Sequence, residues 1–285
     1  MRDTDVAAYL DRIGYHGSTA PTAETLRALH QAHLLAVPFE NLDIGLGREI
    51  LLEEAALADK IVRRRRGGFC YELNGLLALL LCALGYRVTL LAARVPTPDG
   101  GLGPPFDHLT LLVEGARLRG RWLADVGWGR QAPSEPLRFV LAEEQVRPRD
   151  GAAYLLTEAG GWWRLLCRGL GARALTYASG TAPVEVAPGD EAVWEEQYRF
   201  TLQGYALGDF AGGCRYHQTS PDSVFTRGRI CTRLTADGRI TLHDARLITT
   251  VHGERTEQEL AGEAECRAVL REQFGVDLAG EGRGA

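Results

Sequence analysis

The residue with the most chemistry around it is Cys70. It follows Arg66-Gly67-Gly68-Phe69 and opens the stretch Cys70-Tyr71-Glu72-Leu73-Asn74-Gly75. Residues 73–84 then run apolar almost without a break up to Gly85. That pattern predicts a helix buried on all sides, too short for the roughly 18 apolar residues a membrane span needs. A thiol in the first turn of such a helix meets unpaired N–H groups and the positive end of the helix dipole, which favour a thiolate. Arg63, Arg64, Arg65 and Arg66 lie just upstream and add positive potential. This is a setting for a nucleophile. It is equally a setting for a buried structural cysteine, and the stretch alone does not separate the two.

A thiol nucleophile needs a base and a group to orient that base, gathered by the fold rather than by adjacency in sequence. Of the seven histidines, His108 stands out. It follows a Pro/Gly-rich loop at residues 96–105 and opens the apolar run His108-Leu109-Thr110-Leu111-Leu112-Val113, so it sits where a strand end meets a loop. Asp125 comes next, in Leu123-Ala124-Asp125-Val126-Gly127-Trp128-Gly129. A carboxylate at the end of an apolar strand requires a partner, and an imidazole N–H suits it. A barrel histidine and a turn aspartate would leave the same trace. His30 and His33 fall on a helix, where packing or exposure is the default reading.

The elements that must position these residues follow from periodicity. Helices are expected at residues 6–13, 23–36 (Leu26, Leu29, His33 and Leu34 on one stripe) and 52–65, with a loop at 37–43 after the stop at Pro38. From residue 86 the period changes. Strands are expected at 87–95, 108–113, 121–126, 136–140, 154–157 and 163–167, with a hairpin turn at Gly160-Gly161, which indicates a β-barrel or sandwich. Residues 191–200 read as helical. Strands follow at 229–234 and 239–243, joined by Ala236-Asp237-Gly238, and at 245–251. A last amphipathic helix spans 263–274, and residues 280–285 are expected to fray.

Composition narrows the function. The chain has 285 residues, 45% hydrophobic and 24% charged, as in ordinary soluble proteins. A net charge of −5 gives no reason to expect a nucleic-acid partner. The six cysteines are scattered with no C-x-x-C pair, which argues against zinc and fits a reducing cytoplasm. Met1 is followed by Arg2, Asp3 and Asp5, so neither a secretory leader nor a membrane anchor is expected.

Taken together, Arg66-Gly67-Gly68-Phe69-Cys70 with Asn74, Phe106-Asp107-His108-Leu109 and the segment 123–129 resemble the arylamine N-acetyltransferase family. So do Val37-Pro38-Phe39-Glu40-Asn41-Leu42 and the segment from Tyr216 to Phe225. The resemblance spans nearly the whole chain. It implies an α+β fold of three domains with a cysteine-protease-like core. Residues 1–86 would form a helical bundle carrying the nucleophile. Residues 87–190 would form a β-barrel carrying His108 and Asp125, and 191–285 an interdomain helix and an α/β lid.

The resemblance further implies a Cys70–His108–Asp125 triad and no metal. The acyl group would pass from acetyl-coenzyme A, a co-substrate rather than a bound cofactor, through Cys70 to an aromatic amine or hydrazine. Phe39, Val95, Phe106, Asp107, Gly127 and Trp128 match positions lining the acyl and amine pocket, and Tyr216 and Ser223 match positions near the coenzyme. Trp128 stands where many members carry another aromatic. Asp222 replaces a hydroxyl residue, and Gly103-Pro104-Pro105 replaces a Thr-Gly pair, so those two coenzyme contacts do not transfer. Glu40 with Arg64 or Arg66 is expected to be a structural ion pair, and Asn74 a structural residue. A homodimer is compatible with this reading. An amide synthase with a carrier-bound acyl donor would use the same triad, as would a thiol hydrolase. A binding module that had merely kept the fold would have no need of all three residues.

Overall fold

The helix expected after the double glycine is α5, Cys70–Ala83, and the molecule is assembled around it. The structure, a computed structural model, describes residues 1–129, 132–169 and 194–278. Leu73, Leu76, Leu77, Leu80 and Leu81 of α5 have no exposed surface, each stabilising the fold by about 2 kcal/mol. One side of α5 packs against α1 (Asp3–Arg12) and α4 (Glu54–Leu57). The other meets strands β2 (Arg87–Arg94) and β3 (His108–Glu114).

The second helix, α2, spans Ala23–Ala36, capped at its start by Thr22 and stopped before Pro38. The expected helix over 52–65 begins at α4 and widens into a π-helical turn, Ala58–Arg63. The expected loop at 37–43 instead holds a two-residue strand, β1 (Phe39–Glu40), and a short helix, α3 (Leu42–Gly45).

Eight antiparallel strands form the larger sheet in the order β5 (Leu137–Arg138), β4 (Trp122–Ala124), β3, β2, β9 (Glu195–Tyr205), β8 (Trp162–Arg168), β7 (Ala152–Ala159), β6 (Gln145–Arg147). Its two edges nearly close on one another. The Gln145 side chain accepts the Arg138 N–H at 2.8 Å and donates to the Arg138 carbonyl at 2.9 Å. Pairing of Leu111 with Ala124 brings the start of β3 and the end of β4 to the same rim.

Strand β9 corrects the helix expected over 191–200. Residues 195–200 are extended, pairing with β2 on one side and β8 on the other, with Tyr198 and Phe200 fully buried. The expected boundary at 190/191 lies outside the described residues. The stretch beyond it joins the eight-stranded sheet rather than a linking helix.

The smaller sheet has the order β1, β10 (Ile230–Thr235), β11 (Gly238–His243), β12 (Arg246–Val251), β13 (Glu254–Glu259). Helix α7 (Glu263–Phe274) covers it with Cys266, Leu270 and Phe274 against Cys231, Ile240 and Leu242. Strand β13 was not expected, because an exposed edge strand of charged residues has no apolar alternation to read. Between the two sheets the chain forms α6, Ala211–Thr219, also unexpected. The fraying expected at residues 280–285 lies outside the described residues.

Candidate active site

The entry to α5 runs alongside β1. Gly68 bridges Phe39, and its carbonyl accepts the Glu40 N–H at 2.9 Å. A Cβ on Gly67 would strike the Pro38 carbonyl, so the glycine permits a close approach as well as ending the preceding helix. The first turn is tied by Glu72, whose Oε2 accepts the Phe69 N–H at 3.0 Å. Cys70 follows and is 3% exposed.

The arginines do not lend this thiol their charge. Arg66 is fully buried and donates to Glu40 Oε1 at 2.8 Å and to Asp43 Oδ1 at 3.0 Å. Arg64 pairs with Asp59 at 2.8 Å, and Arg63 reaches Asp5 at 3.3 Å. Lys60 completes the buried group, 2.6 Å from Asp43 Oδ2 and 2.7 Å from Glu72 Oε1. The expected ion pair of Glu40 is therefore with Arg66 and belongs to a larger cluster.

The expectation of a favoured thiolate is likewise corrected. Burial pushes the Cys70 thiol well above its ordinary range, Asp125 and Asp107 add to the rise, and a hydrogen bond from the Leu109 backbone opposes it. A thiol enclosed in this way needs a base to take its proton.

His108 opens β3, the strand against which α5 packs, and is 2% exposed. Its Nε2 lies 2.7 Å from Asp125 Oδ2. With Nε2 committed to Asp125, Nδ1 is the ring nitrogen left to act as a base. The two residues before it are clamped. Phe106 adopts φ +59°, a left-handed conformation that costs energy in a bulky residue. The Tyr71 hydroxyl, one residue past Cys70, donates to the Phe106 carbonyl at 2.7 Å and to the Asp107 carbonyl at 3.1 Å. His217 Nε2 stands 3.0 Å from Asp107 Oδ1, and Asp107 Oδ2 accepts the Val95 N–H at 3.2 Å.

Asp125 is 2% exposed, and among the described residues no lysine or arginine side chain pairs with it. Its Oδ1 accepts from Asn74 Nδ2 at 2.8 Å and from the Gly127 N–H at 3.0 Å. Its Oδ2 accepts from His108 and from the Tyr198 hydroxyl at 2.9 Å. Burial would raise this carboxyl, but His108, Asn74 and Tyr198 together hold it below its usual value. Asn74 also donates to the Leu109 carbonyl at 2.7 Å and accepts the Val126 N–H at 2.9 Å. It is thus a hub joining α5, β3 and the loop after β4, a structural role as expected. A Cβ on Gly127 would lie 2.7 Å from the Cys70 Cα and from Asn74 Nδ2. Only glycine lets that loop seat directly on the nucleophile's backbone.

The pocket residues divide. The Trp128 ring lies 4.6 Å from the His108 ring and 4.9 Å from that of Tyr198, with its N–H on Gln197 Oε1 at 3.3 Å. Phe106 packs on Tyr205 and Phe210, while Phe39 meets Phe225, which in turn touches Phe69 and His217. Tyr216 is half-buried against His217. Ser223 is 2% exposed, with its hydroxyl 3.0 Å from His217 Nδ1 and accepting the Phe225 N–H. It braces the wall rather than presenting a polar surface, as do Asp107 and Val95. Sequence reasoning passed over Tyr71, Tyr198 and His217. The sole hint for His217 was its place in the 216–225 segment. Among the described residues no cluster of His, Cys, Asp and Glu could hold a metal, all six cysteines are free, and no helix is long and apolar enough to cross a membrane.

A sheltered thiol and an imidazole paired with a carboxylate are the parts that acyl transfer through sulfur requires. Comparison with known proteins points the same way. The N-acetyltransferase family model matches residues 22–283. The arylamine N-acetyltransferase of Mycobacterium tuberculosis is 37% identical over 99% of this chain and 93% of its own length. That of Escherichia coli is 33% identical over 95% of this chain and 88% of its own. Among solved structures, the enzyme of Salmonella typhimurium superposes with a TM-score of 0.84 at 31% identity, covering 100% of this chain and 96% of that one. The Mycobacterium marinum enzyme in complex with CoA gives 0.82 at 33% identity, covering 98% and 95%.

Proposed function

The chain belongs to the arylamine N-acetyltransferase family, and from that membership we propose that it acetylates arylamines and arylhydrazines with acetyl-coenzyme A, in two steps through an acetyl-Cys70 intermediate. The observation that carries the reading is the buried 2.7 Å pair of His108 and Asp125, with His108 opening the strand against which the Cys70 helix packs.

In the first step the Cys70 proton passes to His108 Nδ1 as sulfur attacks the thioester carbonyl. Asp125 stabilises the imidazolium at Nε2 without taking its proton. Backbone N–H groups near Cys70 and Tyr71 meet the oxyanion. The carbon–sulfur bond to coenzyme A breaks, and the departing thiolate takes the proton from His108. In the second step the amine nitrogen attacks the acetyl carbonyl and loses its proton to His108. The bond to Cys70 sulfur breaks, and the proton returns to that sulfur. One thioester exchanges for another at nearly equal energy, so the acyl-enzyme is not a thermodynamic trap.

Trp128, Phe106 and Phe39 supply flat apolar walls suited to an aromatic acceptor. Tyr216 lies on the coenzyme side. The free thiols fit a reducing, cytoplasmic setting. Intact-mass measurement after mixing with acetyl-coenzyme A alone tests the route: one added acetyl group on Cys70, discharged by an arylamine, is expected. No adduct, together with no turnover across a panel of arylamines and hydrazines, would end it.

A further inference from the structure

We propose that His30 is a positioning residue for this site, fixing the main chain of Asp125 and through it the aim of the carboxylate at His108. The inference rests on the function proposed above. Asp125 comes immediately after β4, whose last residue, Ala124, pairs with Leu111. The Asp125 amide donates instead to His30 Nε2, at 3.3 Å, across from α2. His30 has no exposed surface and Asp125 almost none, so water cannot replace this acceptor.

Three successive amides are tied in this way. The Asp125 N–H goes to His30, the Val126 N–H to Asn74 Oδ1, and the Gly127 N–H to the Asp125 carboxylate itself. The first of these holds the hinge between strand and loop. Without it, the carboxylate can swing about the end of β4 while its other bonds follow.

An imidazole accepts only through an unprotonated nitrogen. His30 must therefore be neutral, with its proton on Nδ1. Burial secures this, lowering its pKa to about 4 against the pull of Asp125 and the Ser134 backbone. Arg147 works in the same direction as burial, and His33 on the same helix is held neutral too.

The test uses His30→Leu, which removes the acceptor, and His30→Gln, whose side-chain oxygen replaces it. Two rates are read in each variant: single-turnover acetylation of Cys70 and alkylation of Cys70 by iodoacetamide as a function of pH. In His30→Leu, acetylation slows roughly tenfold while KM for acetyl-coenzyme A stays within about twofold. The alkylation profile moves to higher pH, because a misdirected Asp125 no longer supports the imidazolium that accompanies the thiolate. His30→Gln restores both. A His30→Leu protein with the wild-type profile and rate overturns the proposal, and so do equal losses in both variants that track their loss of thermal stability. Should His30→Leu not fold, nitrogen-15 chemical shifts of the wild-type histidines decide instead. The Nδ1–H tautomer is expected, and an Nε2–H tautomer at His30 overturns the proposal. Alkylation and tautomer need no acetyl donor, so a protein inert towards acetyl-coenzyme A would sink the proposed function and still leave His30 to be judged.

Discussion

Two buried polar groups sit at the start of α5, and they are built on opposite principles. On one side Glu40, Asp43 and Glu72 face Lys60 and Arg66, charge against charge, with Arg48 at the rim 3.8 Å from Asp43. On the other, Asp125 is served by an amide, a phenol, a backbone N–H and one imidazole. Both lie out of water. The first is a closed account of fixed charges, strong only while every member is present. The second keeps its carboxylate ionised with dipoles and withholds a permanent cation. On the mechanism proposed above, the missing positive charge is the one His108 acquires when it takes the proton of Cys70. Arg66, four residues from Cys70, therefore lends the thiol no charge, because it is committed to Glu40 and Asp43.

The comparison can be broken at several points. Cys70→Ala should abolish acetyl transfer with the fold intact, and retention of a tenth of the activity would remove sulfur from the reaction. Asp125→Asn should cost about 10⁴-fold in kcat with little change in the unfolding midpoint, measured by turnover and by urea titration. Lys60→Met should do the reverse. Leaving Asp43 and Glu72 short of a cation costs about 3–5 kcal/mol of stability, while the folded fraction keeps most of its rate. Were Lys60→Met to lose rate and Asp125→Asn stability, the division of labour drawn above would be wrong.

A smaller effect comes from pH. His30 and His33 stay neutral when folded, with pKa values lowered by burial from 6.5 to about 4 and about 3. Between those limits the unfolded chain binds more protons than the folded one. The share of stability that these two histidines contribute is therefore complete above about pH 6.5 and is lost as pH falls from there towards 4, His30 alone contributing about 3 kcal/mol. Urea midpoints that hold steady from about pH 7 down to pH 4 would contradict this. The smallest change is Tyr198→Phe, which removes one of several donors to Asp125 and should slow acetylation by less than about tenfold. A rate equal to the wild type would show that the phenol is redundant.

Much of this was legible in the sequence, for a physical reason in each case. The apolar run after Gly67-Gly68 could only be a buried helix, and that placed Cys70 at its start. His108 and Asp125 were marked by charge and polarity at the ends of apolar strands. Strand β9 was misread because Glu195, Glu196 and Arg199 look like a charged helix face, although Tyr198 and Phe200 do alternate. Pairing with β2 and β8 on both sides decides the matter, and no local window contains either partner. Helix α6 was missed because Gly212 and Gly213 lower its propensity. Tyr71 and Tyr198 carried no signal of their roles, since a hydrogen bond to a residue dozens of positions away leaves no pattern in the residue that makes it.

Strand β1 pairs Phe39 with Thr232, and the Asn41 side chain grips Phe225, Gly228 and Ile230. A ribosome releases residues in order at about 5–20 per second, so the nucleophile emerges long before the segment that closes over it. For several seconds of each synthesis the growing polypeptide carries a thiol with no finished chamber. A chain cut short before Thr232 would carry Cys70, His108 and Asp125 but lack the strand that pairs with β1.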